Sequence, residues 1–160
     1  MTSKMILIAH RGNTNGPSPQ RENGQKYCEK AIDQGFHVEI DVWYTDTWWT
    51  GHDRPQYRVN PEFLKRKEVW CHAKNIEALY RLQEIGAHCF FHQNDDVTLT
   101  SKGYLWTYPD FQLTKKSICV LPEIQKVASK LSPLYSECAG ICSDFIVNYK
   151  NKDVKGDYES

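Results

Sequence analysis

The stretch Phe36-His37-Val38-Glu39-Ile40-Asp41-Val42-Trp43 alternates apolar side chains with two carboxylates, and that alternation narrows what the chain can fold into. Successive side chains of a strand point to opposite faces, so Glu39 and Asp41 share one face and Val38, Ile40 and Val42 the other. The apolar face needs a core to cover it. The two acids lie a few ångströms apart, where like charges repel and burial raises pKa values. A divalent cation relieves both costs, because carboxylates at i and i+2 present the hard oxygens that Mg2+ and Ca2+ take. The alternative is an edge strand whose acids stand in solvent.

Met5-Ile6-Leu7-Ile8-Ala9 is a continuous apolar run of the kind buried on both faces of a parallel sheet. It ends on His10-Arg11-Gly12, at the carboxyl end of a strand, where α/β folds keep their chemistry. Residues 13–20 read as a loop. Between Glu22 and Gln34 the positions Tyr27, Cys28 and Ala31 fall at helical spacing, and Gly35 supplies a stop. Strand, helix and strand then form one βαβ-like unit, with His10 and Asp41 at the same end of the sheet.

Further strands are expected at 69–75, 87–91, 103–108, 117–121 and 140–146, with residues 54–67 a polar connection. A second helix starts from Asn75 as N-cap, carries the stripe Ile76, Leu79, Leu82 and Ile85, and ends before Gly86. With the Trp48-Trp49 piece included, strands with polar ends recur about eight times around two full helices, which predicts a compact (β/α)8 TIM-type barrel with reduced outer helices. Residues 1–150 are expected to form that single domain and residues 151–160 a frayed, charged tail.

A chain of 160 residues suits one domain that buries about 70% of its unfolded surface. Its 20 basic and 20 acidic residues balance, which argues against nucleic acid or an anionic membrane as partner. The apolar run closed by Arg11 is too short for a secretion signal or a membrane span, so a soluble, cytoplasmic protein is expected. The cysteines at 28, 71, 89, 119, 138 and 142 contain no C-x-x-C pair. That spacing favours buried thiols over a zinc site or a disulfide framework.

Ile8-Ala9-His10-Arg11-Gly12, Glu22-Asn23, Glu39-Ile40-Asp41-Val42-Trp43 and His52-Asp53, in that order, resemble the glycerophosphodiester phosphodiesterase family. Glu22-Asn23 matches part of the family's P-E-N-T stretch, and Ser143-Asp144 resembles its closing T-D. The resemblance implies a (β/α)8 barrel that uses one divalent metal ion and two histidines to cleave a phosphodiester bearing a neighbouring hydroxyl. Carried over residue by residue, Glu39 and Asp41 are metal ligands, His10 and His52 the general acid/base pair, and Arg11 a phosphate ligand. Glu22 lies beside the metal site or positions the substrate.

The family's third metal ligand is the Glu of an E-x-K strand, and the matching place here reads His72-Ala73-Lys74. Lys74 is retained as a substrate-binding residue. His72 is either the third ligand, a substrate contact or a packed histidine, and Glu123 is the alternative ligand. The family points to Mg2+ or Ca2+, whereas an imidazole ligand shifts preference towards Mn2+, Co2+ or Zn2+. The family's substrate-covering insertion is missing between Asp53 and Val69, so an open site for a small phosphodiester is expected.

The chemistry also follows from the residues themselves. Phosphodiester cleavage needs its equatorial oxygens neutralised, a nucleophile deprotonated and a leaving alkoxide protonated. A metal with Arg11 meets the first need, and two imidazoles meet the others. If the substrate hydroxyl attacks, a cyclic phosphate is the intermediate. His92 and Lys102 at strand ends either line the mouth or are solvated, His37 and His88 read as core or rim, and Trp106 and Tyr108 either stack on substrate or pack.

Overall fold

The structure is a computed structural model that describes residues 4–124 and 138–150. The expected tail at 151–160 lies outside the described residues. In chain order the elements are β1 (Ile6–His10), α1 (Gln25–Asp33), β2 (His37–Tyr44), β3 (Trp48–Thr50), β4 (Tyr57–Arg58), α2 (Pro61–Leu64) and β5 (Val69–Ala73). They continue as α3 (Ile76–Glu84), β6 (His88–Phe90), β7 (Val97–Leu99), β8 (Leu105–Thr107), β9 (Ser117–Val120) and β10 (Gly140–Ser143).

The expected (β/α)8 barrel is not what forms. All ten strands join one curled mixed sheet, a half-barrel, and the described residues hold only three short α-helices. A run of parallel neighbours, β6-β5-β2-β1-β10-β9-β8, makes up most of it. The β3–β4 hairpin is antiparallel on the end of β2, and β7 is antiparallel on β8. The reason lies in the connections. A parallel crossover needs a dozen or more residues, usually with a helix. Residues 91–96 carry no helix and lead into β7, residues 100–104 turn back directly from β7 into β8, and residues 108–116 cross to the parallel β9 without a helix, on a span shorter than that usual length.

The helices that do form cover one side of the sheet. Val38, Ile40 and Val42 of β2 and Cys71 and Ala73 of β5 are buried with Cys28 and Ala31 of α1, Leu64 of α2 and Ala78 and Leu82 of α3. Each fully buried aliphatic side chain contributes roughly 1.5–3 kcal/mol. Asn75 caps α3 as expected, its Oδ1 accepting the Ala78 N–H at 3.1 Å. Of the expected stripe, Leu82 is buried and Leu79 and Ile85 pack against the core, whereas Ile76 is 74% exposed and Ala78 is buried in its stead. The polar connection at 54–67 contains β4 and α2. All six cysteines are buried thiols.

The other side of the sheet curls inward. Ile8, Trp70, Phe90, Trp106, Ile118, Val120 and Cys142 pack there, with Trp70 and Trp106 ring centroids 5.9 Å apart. Trp106, left open between substrate stacking and packing, is a packed residue. Where the curl brings β6 near the β7–β8 hairpin, Ser101 N–H donates to the Cys89 carbonyl at 2.8 Å, and Cys89 N–H donates to Ser101 Oγ at 2.9 Å. Thr98 Oγ1 donates to the Phe91 carbonyl at 3.1 Å. These bonds form a seam rather than a ladder.

Candidate metal centre

Strand register assembles the site. Parallel pairing sets His10 of β1 opposite Glu39 of β2 and Asp41 of β2 opposite His72 of β5. Alternation then turns all four side chains to the inner side, His10 and His72 from the carboxyl ends of β1 and β5 and Glu39 and Asp41 from within β2. Glu39 and Asp41 are 2% and 1% exposed, so the reading of them as solvated edge acids fails. Ligand atoms of Glu39, Asp41 and His72 all lie within 4.8 Å of one another. This buried cluster could hold a metal ion.

His72 Nδ1 lies 3.0 Å from Asp41 Oδ1 and 3.8 Å from Glu39 Oε2. Its Nε2 meets the His92 backbone carbonyl at 3.3 Å. The ring is sandwiched between Phe90 and His92, with centroids at 5.1 and 4.5 Å and planes nearly parallel. Asp41 Oδ2 accepts from Asn23 Nδ2 at 3.0 Å, and Asp41 N–H donates to Asn23 Oδ1 at 2.8 Å. Asn23 sits in the left-handed region at φ 70°, and its carbonyl accepts Thr50 Oγ1 at 2.5 Å.

Arg11 follows β1 directly and is also left-handed, at φ 55°. That turn aims its N–H at Glu39 Oε1, 3.2 Å away. Its Nη1 donates to Glu22 Oε1 at 3.3 Å, and its Nε lies 3.4 Å from Asp41 Oδ2. Nε is not aligned for a hydrogen bond and is a buried nitrogen with no hydrogen-bond partner. Glu22 also accepts the Ser18 N–H at 2.7 Å, so it braces Arg11 and does not line the cleft at the cluster.

His10 is held from behind. Its Nδ1 is 2.8 Å from Asp144 Oδ1, which also accepts Asn13 Nδ2 at 2.9 Å, while its Nε2 faces Glu39 Oε1 at 3.8 Å. A carboxylate only accepts, so Nδ1 carries a proton and Nε2 is presented to the cleft. His52 contrasts with it. It is about half exposed, with Nδ1 2.7 Å from Asp53, itself in solvent. Gly51 places it. Its N–H donates to the Asp41 carbonyl at 3.1 Å. Its φ of 149° leaves no room for a side chain, since a Cβ would lie 2.1 Å from the Arg54 carbonyl.

The electrostatics follow. Burial lowers the His10 pKa, but the Asp144 hydrogen bond and the charges of Glu39 and Asp144 outweigh it, and the net shift is upward. Burial and the neighbouring Asp41 push Glu39 up. Burial would raise Asp41 as well, yet the His72 hydrogen bond and the charges of His72, Arg11 and Lys74 hold it well below the usual carboxylate range. One carboxylate of the pair is thus firmly ionised, and its neighbour resists ionising without a further positive charge.

His10, Arg11, Glu39, Asp41, His52, His72 and Lys74 all line one cleft of about 430 Å³. Phe91, Tyr108, Val120 and Leu121 form its apolar part, and His92 lines it with its Nε2 on the Tyr108 hydroxyl. A larger groove of about 1040 Å³ runs along the 12–21 loop and α1, and none of those seven residues lines it. Glu123 stands apart from the cluster, accepting from Ser143 Oγ at 2.9 and 3.0 Å and from the Asp144 N–H at 3.2 Å. Lys102 is exposed and does not line the cleft. Sequence reasoning missed Asp144 as the partner of His10, though β1–β10 pairing makes Ala9 and Ser143 partners and the residues after them neighbours. It also missed Asn23 as the brace of Asp41.

Comparison with protein-family models, with curated proteins and with solved structures finds no match to this chain. No helix among the described residues is long and apolar enough to cross a membrane.

Proposed function

We propose that the chain is a metal-dependent phosphodiesterase that hydrolyses a small glycerophosphodiester-like substrate to a phosphomonoester and an alcohol. The observation that carries this reading is a single cleft lined by the Glu39/Asp41/His72 cluster, two histidines of different environment, Arg11 and Lys74. The donor set fits a divalent cation, because two buried carboxylates with one imidazole supply oxygen and nitrogen ligands, and Glu39 resists ionising without added positive charge. Mg2+ or Ca2+ follows from the family resemblance, and Mn2+ or Zn2+ from the imidazole.

When bound there, the cation would neutralise the phosphate oxygens as charge builds on them. The chain's own groups do the rest. Arg11 and Lys74 draw the diester in. His10, oriented by Asp144, and His52 at the open side exchange the protons, one taking a proton from the attacking hydroxyl and the other supplying the leaving oxygen. Attack by the substrate's own hydroxyl gives a cyclic phosphate first, and water then opens that ring to the phosphomonoester with the two histidines in exchanged roles. A relative that stops at that cyclic product, or a phosphate-binding module without turnover, remains as an alternative, the second favoured by His72 in place of an acid.

The test is a phosphorus NMR time course on glycerophosphocholine, glycerophosphoethanolamine and a lysophospholipid with Mg2+, Ca2+, Mn2+ or Zn2+, beside His10→Ala. A phosphomonoester signal absent from His10→Ala supports hydrolysis. A persistent cyclic phosphate transfers the assignment to the cyclising relative, and no new signal with any of these diesters counts against the enzyme reading.

A further inference from the structure

The three residues of the cluster share a pattern: each has two ligand atoms, and in each one is tied to the protein. Glu39 Oε1 accepts the Arg11 N–H. Asp41 Oδ2 accepts Asn23 Nδ2. His72 Nε2 is directed at the His92 carbonyl, which can only accept, so Nε2 must carry the hydrogen. The atoms left over, Glu39 Oε2, Asp41 Oδ1 and His72 Nδ1, are the ones that face one another, at 3.0 Å and 3.8 Å from the nitrogen. Without an ion, His72 Nδ1 meets Asp41 Oδ1 at hydrogen-bond distance; a cation entering among the three atoms replaces that bond and takes the Nδ1 lone pair together with one oxygen from each carboxylate.

We propose that these three atoms form a monodentate two-oxygen, one-nitrogen site selective for Zn2+ or Mn2+ over Ca2+ and Mg2+, with Asn23 as the residue that positions Asp41. This rests on the metal-centre reading above and goes further by naming the ligand atoms, the tautomer and the cation class. Ca2+ takes six to eight oxygens, often through bidentate carboxylates, but here the second oxygen of each carboxylate is already engaged. Mg2+ also prefers oxygen throughout. Imidazole favours the first-row transition ions and zinc, and a histidine ligand whose other N–H donates to a backbone carbonyl is the arrangement that fixes its tautomer. Asn23 holds Asp41 from both sides, through side chain and backbone, and its left-handed backbone is itself held by Thr50.

The experiment combines calorimetric titration of the full chain with Zn2+, Mn2+, Mg2+ and Ca2+ and nitrogen-15 NMR of its imidazoles. Wild type should bind Zn2+ or Mn2+ at least about tenfold tighter than Mg2+ or Ca2+. On adding Zn2+ the His72 Nδ1 resonance should move while Nε2 stays protonated. Asn23→Ala should weaken binding about 10- to 100-fold, as removal of such outer partners does, with the His72 tautomer retained, and His72→Glu should turn the preference towards Mg2+ or Ca2+. Binding through Nε2, or equal affinity for all four cations, overturns this assignment and leaves a metal centre standing. No binding of any cation by a wild-type chain with well-dispersed NMR signals overturns both. The wild-type NMR result decides the ligand atom even where a variant fails to fold.

Discussion

The inner side of the sheet has a mouth and a floor, and the two treat histidine in opposite ways. At the mouth His10 meets Asp144 and Glu39, and its pKa is raised. At the floor His88 of β6, at the far end of the register row His10-Glu39-Trp70-His88, has its ring centroid 4.1 Å from that of Trp70, with Tyr104 nearby and Thr100 Oγ1 as polar partner at 2.7 Å. There burial dominates, with the charge of Lys102 adding to it, and lowers its pKa to about 4. One residue type on one face of a curled sheet thus becomes a charge-accepting group at one end and a neutral packing element at the other. Carboxylates and aromatic rings decide which.

The largest expected effect breaks the mouth alone. His10→Ala or His52→Ala should reduce turnover by about 10²- to 10⁴-fold while cation affinity measured calorimetrically is retained, whereas Asp41→Ala should abolish cation binding. Tight binding by Asp41→Ala would show that the ligands lie elsewhere. Next comes the floor. Trp70→Ala should destabilise the protein by about 3–5 kcal/mol in urea denaturation, because Trp70 is 1% exposed against Trp106, Tyr104 and His88. A loss under 1 kcal/mol would mean the floor is not a packed core.

A pH series sharpens the contrast. The unfolded chain protonates His88 near 6.5 and the folded protein only near 4. The unfolded state therefore binds the extra proton throughout that window, and stability falls as pH drops through it. Denaturation midpoints of wild type should decline from pH 7 to 4.5, and His88→Gln should decline less. An equal slope in both proteins would assign the acid sensitivity to other groups. The smallest effect is at neither end. Asn75→Ala should cost about 1 kcal/mol by removing the α3 cap, readable as a shift in thermal midpoint with cation binding unchanged.

What could be read from the sequence follows the range of its signals. Alternation in Phe36–Trp43 and the apolar run before His10 announce β2 and β1, and strand-end placement brings His10, Glu39, Asp41 and His72 together. Helix α3 was legible from Asn75 and Gly86 because both act within a turn of the helix they bound. The architecture was not, because whether a strand is followed by a helix or a hairpin depends on the short connections after β6, and those have no helical period to read. Asn23 and Asp144 were hidden for a different reason. Their roles come from contacts with Asp41 and His10 that only the folded register creates.

The seam between β6 and the β7–β8 hairpin bears on self-association. A strand at the end of an open sheet offers unpaired N–H and C=O groups to any similar strand, and proteins blunt such edges to stay monodisperse. Cys89 gives both its outward backbone groups to Ser101, and Phe91 gives its carbonyl to Thr98. Two small hydroxyl side chains and one backbone bond thus engage backbone groups on which a second copy of the chain would otherwise extend the sheet.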